Sequence, residues 1–441
     1  MFRQVFYSVF LTFAFCSVSF AKDISLKRAY ESAKVTDPQW RLAKYKQLES
    51  LEFIPQALSQ LLPNLSLSVS TNDVTQQLTN GTVRSPEQQY PSSAKTLTLR
   101  QAILRPKQKI GLDVARVQLE QSELTLLDES QQLALRVMEA YLSTHFAFER
   151  QSVLNAQKTF LTARLAAAES GIKSGQGMRT DRDEALADLA RLEADDIQVK
   201  QSLSLAQKQF LLLTGLVFDR STFSGYRFNS YNLEKLSFES SVNSLQPKNL
   251  KLKIQEKEQE INRLLLKQAE AGHTPTLDFV AQAAKNSGES SFFISTQTNS
   301  RFLGFQLNVP LYSGGQISSQ VNQTLMRVRQ SDEQLEIVKN NVEIQFHKES
   351  NSFNEGLARL KANSVAIETS AIALESSKKG VLAGTRTQLD ILRLAQLNAQ
   401  AKLELLRSKH EFLMSWVRLK YLVGELGEGH LSLIDDLWVA N

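Results

Sequence analysis

Five histidines, at positions 145, 273, 347, 410 and 430, are the residues most able to hold a metal, and no two stand at ligand spacing. The chain has no phosphate-binding glycine loop, no dinucleotide fingerprint and no Gly-x-Ser-x-Gly elbow. Neighbouring acids such as Asp435 and Asp436 are more simply surface carboxylates. No catalytic constellation results, so the sequence predicts no enzyme, no cofactor and no metal. One polar pattern does recur. Gly171-Ile-Lys-Ser-Gly175 is followed by Arg179-Thr180 and Asp183, and Gly380-Val-Leu-Ala-Gly384 by Arg386-Thr387 and Asp390. Glycine at a helix end permits a left-handed cap, with Thr as the next N-cap and Asp in the first turn against the helix dipole.

These turns join very long helices. Only 18 Gly and 9 Pro interrupt 441 residues, and Ala, Leu, Gln, Ser, Lys and Glu favour helix. Lys107 to Ser170 is broken by Gly111 alone and Gln316 to Lys379 by Gly356 alone, each long enough for ~95 Å at 1.5 Å per residue. Val321, Val328, Leu335 and Val342 recur every seventh residue, a narrow coiled-coil seam. Such helices need partners along their whole length.

The chain is built twice, at an offset of roughly 207 to 212 residues. Each half runs helix, strand, polar loop, strand, long helix, glycine turn, helix. Leu61-Leu-Pro-Asn-Leu-Ser-Leu-Ser-Val69 and Thr274-Pro-Thr-Leu-Asp-Phe-Val-Ala281 alternate apolar and polar residues, the period of a half-buried strand. Leu97, Leu99 and Ile103 share one face of the partner strand in the first half, with Thr98, Arg100 and Ala102 opposite. Leu303, Phe305, Leu307, Val309 and Leu311 share one face in the second. The loops between them, Asn72 to Ala94 and Lys285 to Ser300, are rich in Thr, Ser, Asn and Gln. Soluble hairpins would also fit this pattern.

The first 21 residues read as a cleaved signal peptide. Arg3 begins it, Val5 to Val18 form an apolar stretch too short to span, and Ser19 and Ala21 suit a cleavage site. Cys16, the one cysteine, lies inside it, so the mature chain is expected to lack thiols. Removing the segment takes away Arg3 and no acid, so the formal charge falls from +5 to +4. That charge is spread along the chain and gives no basic face for nucleic acid. An exported chain with apolar-faced strands points to the outer membrane. Membrane strands must close into a barrel, and four cannot close alone. Two, three or four copies would give eight, twelve or sixteen strands.

Over its mature length the chain resembles the TolC family of outer-membrane factors. The resemblance rests on the duplicated pattern, on Ala57-Leu-Ser-Gln-Leu-Leu-Pro63, on Val309-Pro-Leu-Tyr-Ser-Gly-Gly315, and most specifically on Gly380-Val-Leu-Ala-Gly-Thr-Arg-Thr-Gln-Leu-Asp-Ile-Leu392. It implies a mixed α/β, mostly α fold: a homotrimer whose chains each give four strands to a 12-stranded β-barrel in outer-membrane lipid, over a long periplasmic coiled-coil α-barrel. It implies a passive exit channel docked to a periplasmic adaptor and to an inner-membrane ABC transporter or other pump. Within the family, the approach to the first strand is most similar to type I protein-secretion members, whose cargo is a secreted protein. A drug-efflux duct, and a periplasmic coiled-coil adaptor without a pore, are the competing readings. The resemblance makes Arg386 a gate arginine, with Thr180 and Asp181 as partners on the neighbouring coil and Asp390 an acid facing the constriction. The chain departs from the family pattern where Arg393 stands in place of a second acid and Val381 in place of an aromatic.

The expected organisation is therefore a signal peptide over 1–21 and a first repeat over 22–215, with strands about 63–75 and 95–105 and helices about 107–170 and 180–214. A linker follows over 216–248. The second repeat occupies 249–424, with strands about 275–285 and 301–312 and helices about 316–379 and 387–423, before a tail over 425–441.

Overall fold

The computed structural model describes residues 25–175, 177–218, 226–228, 236, 245, 247–290 and 293–440; the expected signal peptide lies outside them. Three short helices lead in: α1 (Leu26–Thr36), α2 (Pro38–Leu51) and α3 (Phe53–Ser59). Strands β1 (Asn64–Gln76) and β4 (Gln88–Leu104) flank a two-residue hairpin, β2 (Thr79–Asn80) and β3 (Val83–Arg84). Helices α4 (Pro106–Lys173) and α5 (Arg179–Thr214) close the first half. The second half repeats it with α6 (Leu250–Glu270), β6 (Thr276–Ser290), β7 (Phe293–Asn308), α7 (Gln316–Leu382) and α8 (Gln388–Leu422). Matched helices differ by one residue, 68 against 67 and 36 against 35.

All four long strands join one antiparallel sheet in the order β1-β4-β6-β7, and the β4–β6 pairing joins the two halves. Leu65, Leu67, Leu97, Leu303, Phe305 and Leu307 project from one face, each at least 43% exposed. Asn64, Ser66, Thr98, Gln282 and Gln306 lie on the other. The sheet is open, so β1 and β7 present unpaired edges in the single chain.

Two expected loops are largely strand. The ladder continues through Asn72–Gln76 against Gln88–Ser92, leaving only the short hairpin, where Gly81 takes φ 61°. In the second half β6 runs to Ser290 and β7 starts at Phe293, so most of Lys285 to Ser300 is paired. Thr and Ser side chains suit a pleated sheet as well as they suit a loop, and their polarity concealed the continuation. The last strand ends at Asn308, short of the expected 312, because Pro310 has no N–H for a ladder.

The helices pair as two antiparallel coils, α4 with α5 and α7 with α8, while α6 packs on the upper parts of both α4 and α7. Along α7 the deepest positions near the sheet are Thr324 and Ser331, with Val321, Val328 and Leu335 only half-buried. Small side chains on this side let α6 approach closely. Further down, Val342, Phe346, Phe353, Gly356, Leu360, Ser370 and Ser377 continue the buried seam. A Cβ on Gly356 would stand 3.3 Å from the Phe412 backbone, so glycine fixes how near α8 comes.

The main core forms a waist halfway down α4. Leu133, Val137, Met138 and Tyr141 meet Phe210 of α5, Leu26 and Tyr30 of α1, and Phe412, Trp416 and Leu419 of α8. The segment expected as a plain tail contains α9 (Glu428–Asp435) and β8 (Trp438–Ala440). β8 pairs with β5 (Tyr226–Phe228) from the expected linker.

Candidate functional site

The lower tip, farthest from the sheet, brings the two glycine turns to one end of the molecule. Gly175 and Gly384 adopt φ 76° and 71°, where a side chain would strain the backbone. Gly171 and Gly380 do not cap anything: both lie inside the last helical turn. Their role is close approach. A Cβ on Gly380 would meet the Arg386 Cγ at 2.8 Å, and one on Gly171 would meet the Gly177 Cα at 3.3 Å.

The turns differ in how the second helix starts. At α8, Thr387 is the N-cap: the Asp390 N–H donates to its Oγ1 at 3.3 Å, and its own N–H donates to Asp390 Oδ2 at 3.0 Å. The Thr387 hydroxyl also donates to that oxygen, at 2.9 Å. At α5 the expected cap is absent. Met178 occupies the N-cap position without a side-chain bond, Thr180 lies inside the first turn, and Asp183 pairs with Arg182 at 2.6 Å. The physical reason is length. Gly171 to Thr180 spans two residues more than Gly380 to Thr387, and the added Gly177 donates to the Gly171 carbonyl at 2.8 Å, so α5 begins before Thr180. The unequal spacing, with Gly177 as the extra glycine, is readable in the sequence.

Arg386, Thr180 and Asp181 are all exposed, and among the described residues no hydrogen bond or ion pair joins Arg386 to either of the others within the chain. Asp390 is held below the usual carboxylate range, first by the Thr387 backbone and hydroxyl bonds and then by the charges of Arg386 and Arg393. Arg393 is exposed one turn further along α8, and Val381 lies half-buried within the last turn of α7.

Above the tip the two coils carry different seams. The α4–α5 seam is mostly apolar, with Leu154, Leu161, Leu192 and Val199 in one cluster against which Leu392 of α8 packs, but it also buries Asp196, which pairs with Lys200 at 2.8 Å. The α7–α8 seam is layered with polar groups: Asn398 donates to Ser370 Oγ at 2.9 Å, and Asn363 to Ser408 Oγ at 3.3 Å. Between the first coil and α8 runs a groove of about 490 Å³, lined by residues including Phe160, Arg191, Gln396 and Leu403. Among the histidines, His145 and His410 are half-buried where α4 meets α8, and desolvation pushes both down to about 4. His410 stacks on Phe146 at 4.8 Å, a packing role.

Residues 242–425 match the family model described as outer membrane efflux protein. The chain is 27% identical over 418 residues to the proteases secretion protein PrtF of Dickeya chrysanthemi, covering 92% of this chain and 90% of that one. It is 26% identical over 419 residues to the alkaline protease secretion protein AprF of Pseudomonas aeruginosa, covering 93% and 86%. The Campylobacter jejuni CmeC outer membrane channel superposes with TM-score 0.79 at 13% identity, over 99% of this chain and 97% of that one. At that identity the likeness establishes the fold.

Proposed function

We propose, from the premise that this chain belongs to the outer membrane efflux protein family, that it is one protomer of the trimeric exit channel of a type I protein secretion system. The observation that carries this reading is near full-length similarity to two proteins named for protease secretion. The channel is passive. Energy comes from an inner-membrane ABC transporter, reached through a periplasmic adaptor docked at the helical end.

The open sheet supports the oligomer. An unpaired edge in lipid leaves backbone groups unsatisfied, at several kcal/mol each. Pairing β7 of one copy with β1 of the next removes both edges, and three copies make a closed barrel of twelve strands. Its apolar face then meets lipid and its Ser-, Thr- and Gln-rich face meets water. The long coils continue the duct through the periplasm.

The tip supports a gate. Arg386 has no partner among Thr180 and Asp181 of its own chain, which leaves these exposed groups free to bond across the protomer boundary. The α7–α8 coil is the element suited to move, because its polar layers stabilise packing less than the leucine seam of the α4–α5 coil does.

Deleting the gene should leave the system's protein cargo inside the cell, with secretion restored by the wild-type chain. An unchanged set of secreted proteins, together with new antibiotic sensitivity, would replace this reading by a drug-efflux duct.

A further inference from the structure

The outward face of the sheet carries an arrangement that the duct does not use. Lys95 of β4 stands directly opposite Lys285 of β6, and Arg301 of β7 lies diagonal to Lys285 on the same face. Direct neighbours across strands have Cβ atoms ~5 Å apart, and like charges there oppose pairing. All three side chains are exposed, and among the described residues none forms an ion pair with a carboxylate. Asp73, an acid on this face of β1, stands opposite Pro91, two rows further from the helices than the Lys95 row.

The position of the cluster is as informative as its charge. In the rows below the two lysines the face is mostly apolar or small: Leu67, Leu97 and Ala283 beside Arg301, then Leu65, Leu99, Ala281 and Leu303, then Phe279 and Phe305 beside Gln101. From Leu277 to Lys285 is eight residues, ~27 Å along a strand and ~20 Å of membrane height once tilted. The cations therefore stand at the upper edge of the apolar band, on the loop side. Just above them the Ser93 and Ser287 hydroxyls bond each other at 2.7 Å, and Asn299 stands opposite Lys285.

We propose that Lys95, Lys285 and Arg301 bind the phosphates of a phosphorylated glycolipid in the outer leaflet. The cations match the phosphates, the hydroxyl and amide row matches the sugars, and the apolar rows beneath match the acyl chains. Inorganic phosphate would meet only the first of these. A bound headgroup also removes the repulsion between Lys95 and Lys285. The inference rests on the reading that this face lies in the outer membrane.

The test uses the full-length trimer in phosphatidylcholine vesicles containing diphosphorylated lipid A, with lipid retention read by native mass spectrometry after extraction. The K95Q/K285Q/R301Q variant should still insert as a trimer but retain lipid A about tenfold less or worse. The K95R/K285R variant should retain it as wild type does. Equal retention by an inserted triple variant overturns the proposal. So does equal retention of dephosphorylated lipid A, displacement by equimolar inorganic phosphate, or capture of an acidic protein in place of lipid. A wild-type trimer that fails to enter vesicles overturns the membrane reading, and this inference with it.

Discussion

Arg105 grips Asp278 with two arms of its guanidinium: Nε donates to Oδ1 at 2.8 Å, and Nη2 donates to Oδ2. Arg105 is the residue between β4 and α4, and Asp278 lies near the start of β6, so the contact ties the first half to the second where sheet becomes helix. It sits beside the irregularity in pairing between Ala102 and Leu104, where the chain turns out of the ladder. The Asp278 side chain is 8% exposed and that of Arg105 26%, so the pair is largely shielded from water. Asp278→Ala would remove both charge-assisted bonds from the guanidinium, at a cost of ~1–3 kcal/mol. The proposed trimer, followed by native electrophoresis after heating, should then dissociate at a markedly lower temperature. An unchanged dissociation temperature would show that the pair does not brace this junction.

The hairpin between β1 and β4 should face outside the cell, because the opposite ends of the strands lead into the helices, which the proposed duct places in the periplasm. Gly81 is a poor labelling site, since its left-handed backbone resists a side chain. Thr82→Cys, exposed beside it, should react with a membrane-impermeant maleimide on intact cells. Labelling only after the outer membrane is breached would reverse the orientation.

Burial in the waist pushes Asp435 up to about 6, although its Oδ1 accepts the Leu26 N–H at 2.9 Å. A carboxyl raised in the folded state contributes stability below its unfolded value near 4 and loses it as pH rises through about 6. At neutral pH the buried charge is therefore a burden. Asp435→Asn, which keeps an oxygen for Leu26, should stabilise the chain by ~1–3 kcal/mol at pH 7.5 and by nothing at pH 4. Urea titrations at the two pH values check this; equal effects at both would refute it.

Arg393 and Asp390 are three residues apart on one face of α8, so in the proposed gate the arginine would offset the acid. Arg393→Asp should raise the preference of the open trimer for cations over anions severalfold, read as a shift in reversal potential under a salt gradient. No shift would place Asp390 away from the ion path.

The sequence carried the architecture because long helices and alternating strands have distinct periods, and the repeat displayed each twice. Strand ends were harder: Asn72–Gln76 and Asn286–Ser290 are polar residues in a ladder, and polarity alone does not separate sheet above the apolar band from loop. At the tip, Thr387 and Asp390 announced their capping box by spacing, whereas Thr180 and Asp183 have the same spacing but sit within a helix that starts earlier. The buried Ser370–Asn398 layer was not legible, since isolated Ser and Asn look like surface residues until the neighbouring helix covers them. The gate residues came from family resemblance, and their bonds would lie between chains.

In the proposed trimeric duct, Arg386 of each chain holds the tip shut. One exposed charge pair contributes only ~0–1 kcal/mol, but three acting on a single aperture bias it by ~1–3 kcal/mol, enough to change the open fraction about tenfold. Single-channel recording in planar bilayers reads that fraction directly. The wild-type trimer should show a small, mostly closed conductance, and Arg386→Ser, purified as an intact trimer, should conduct several times more. An intact Arg386→Ser trimer with wild-type conductance would contradict the account.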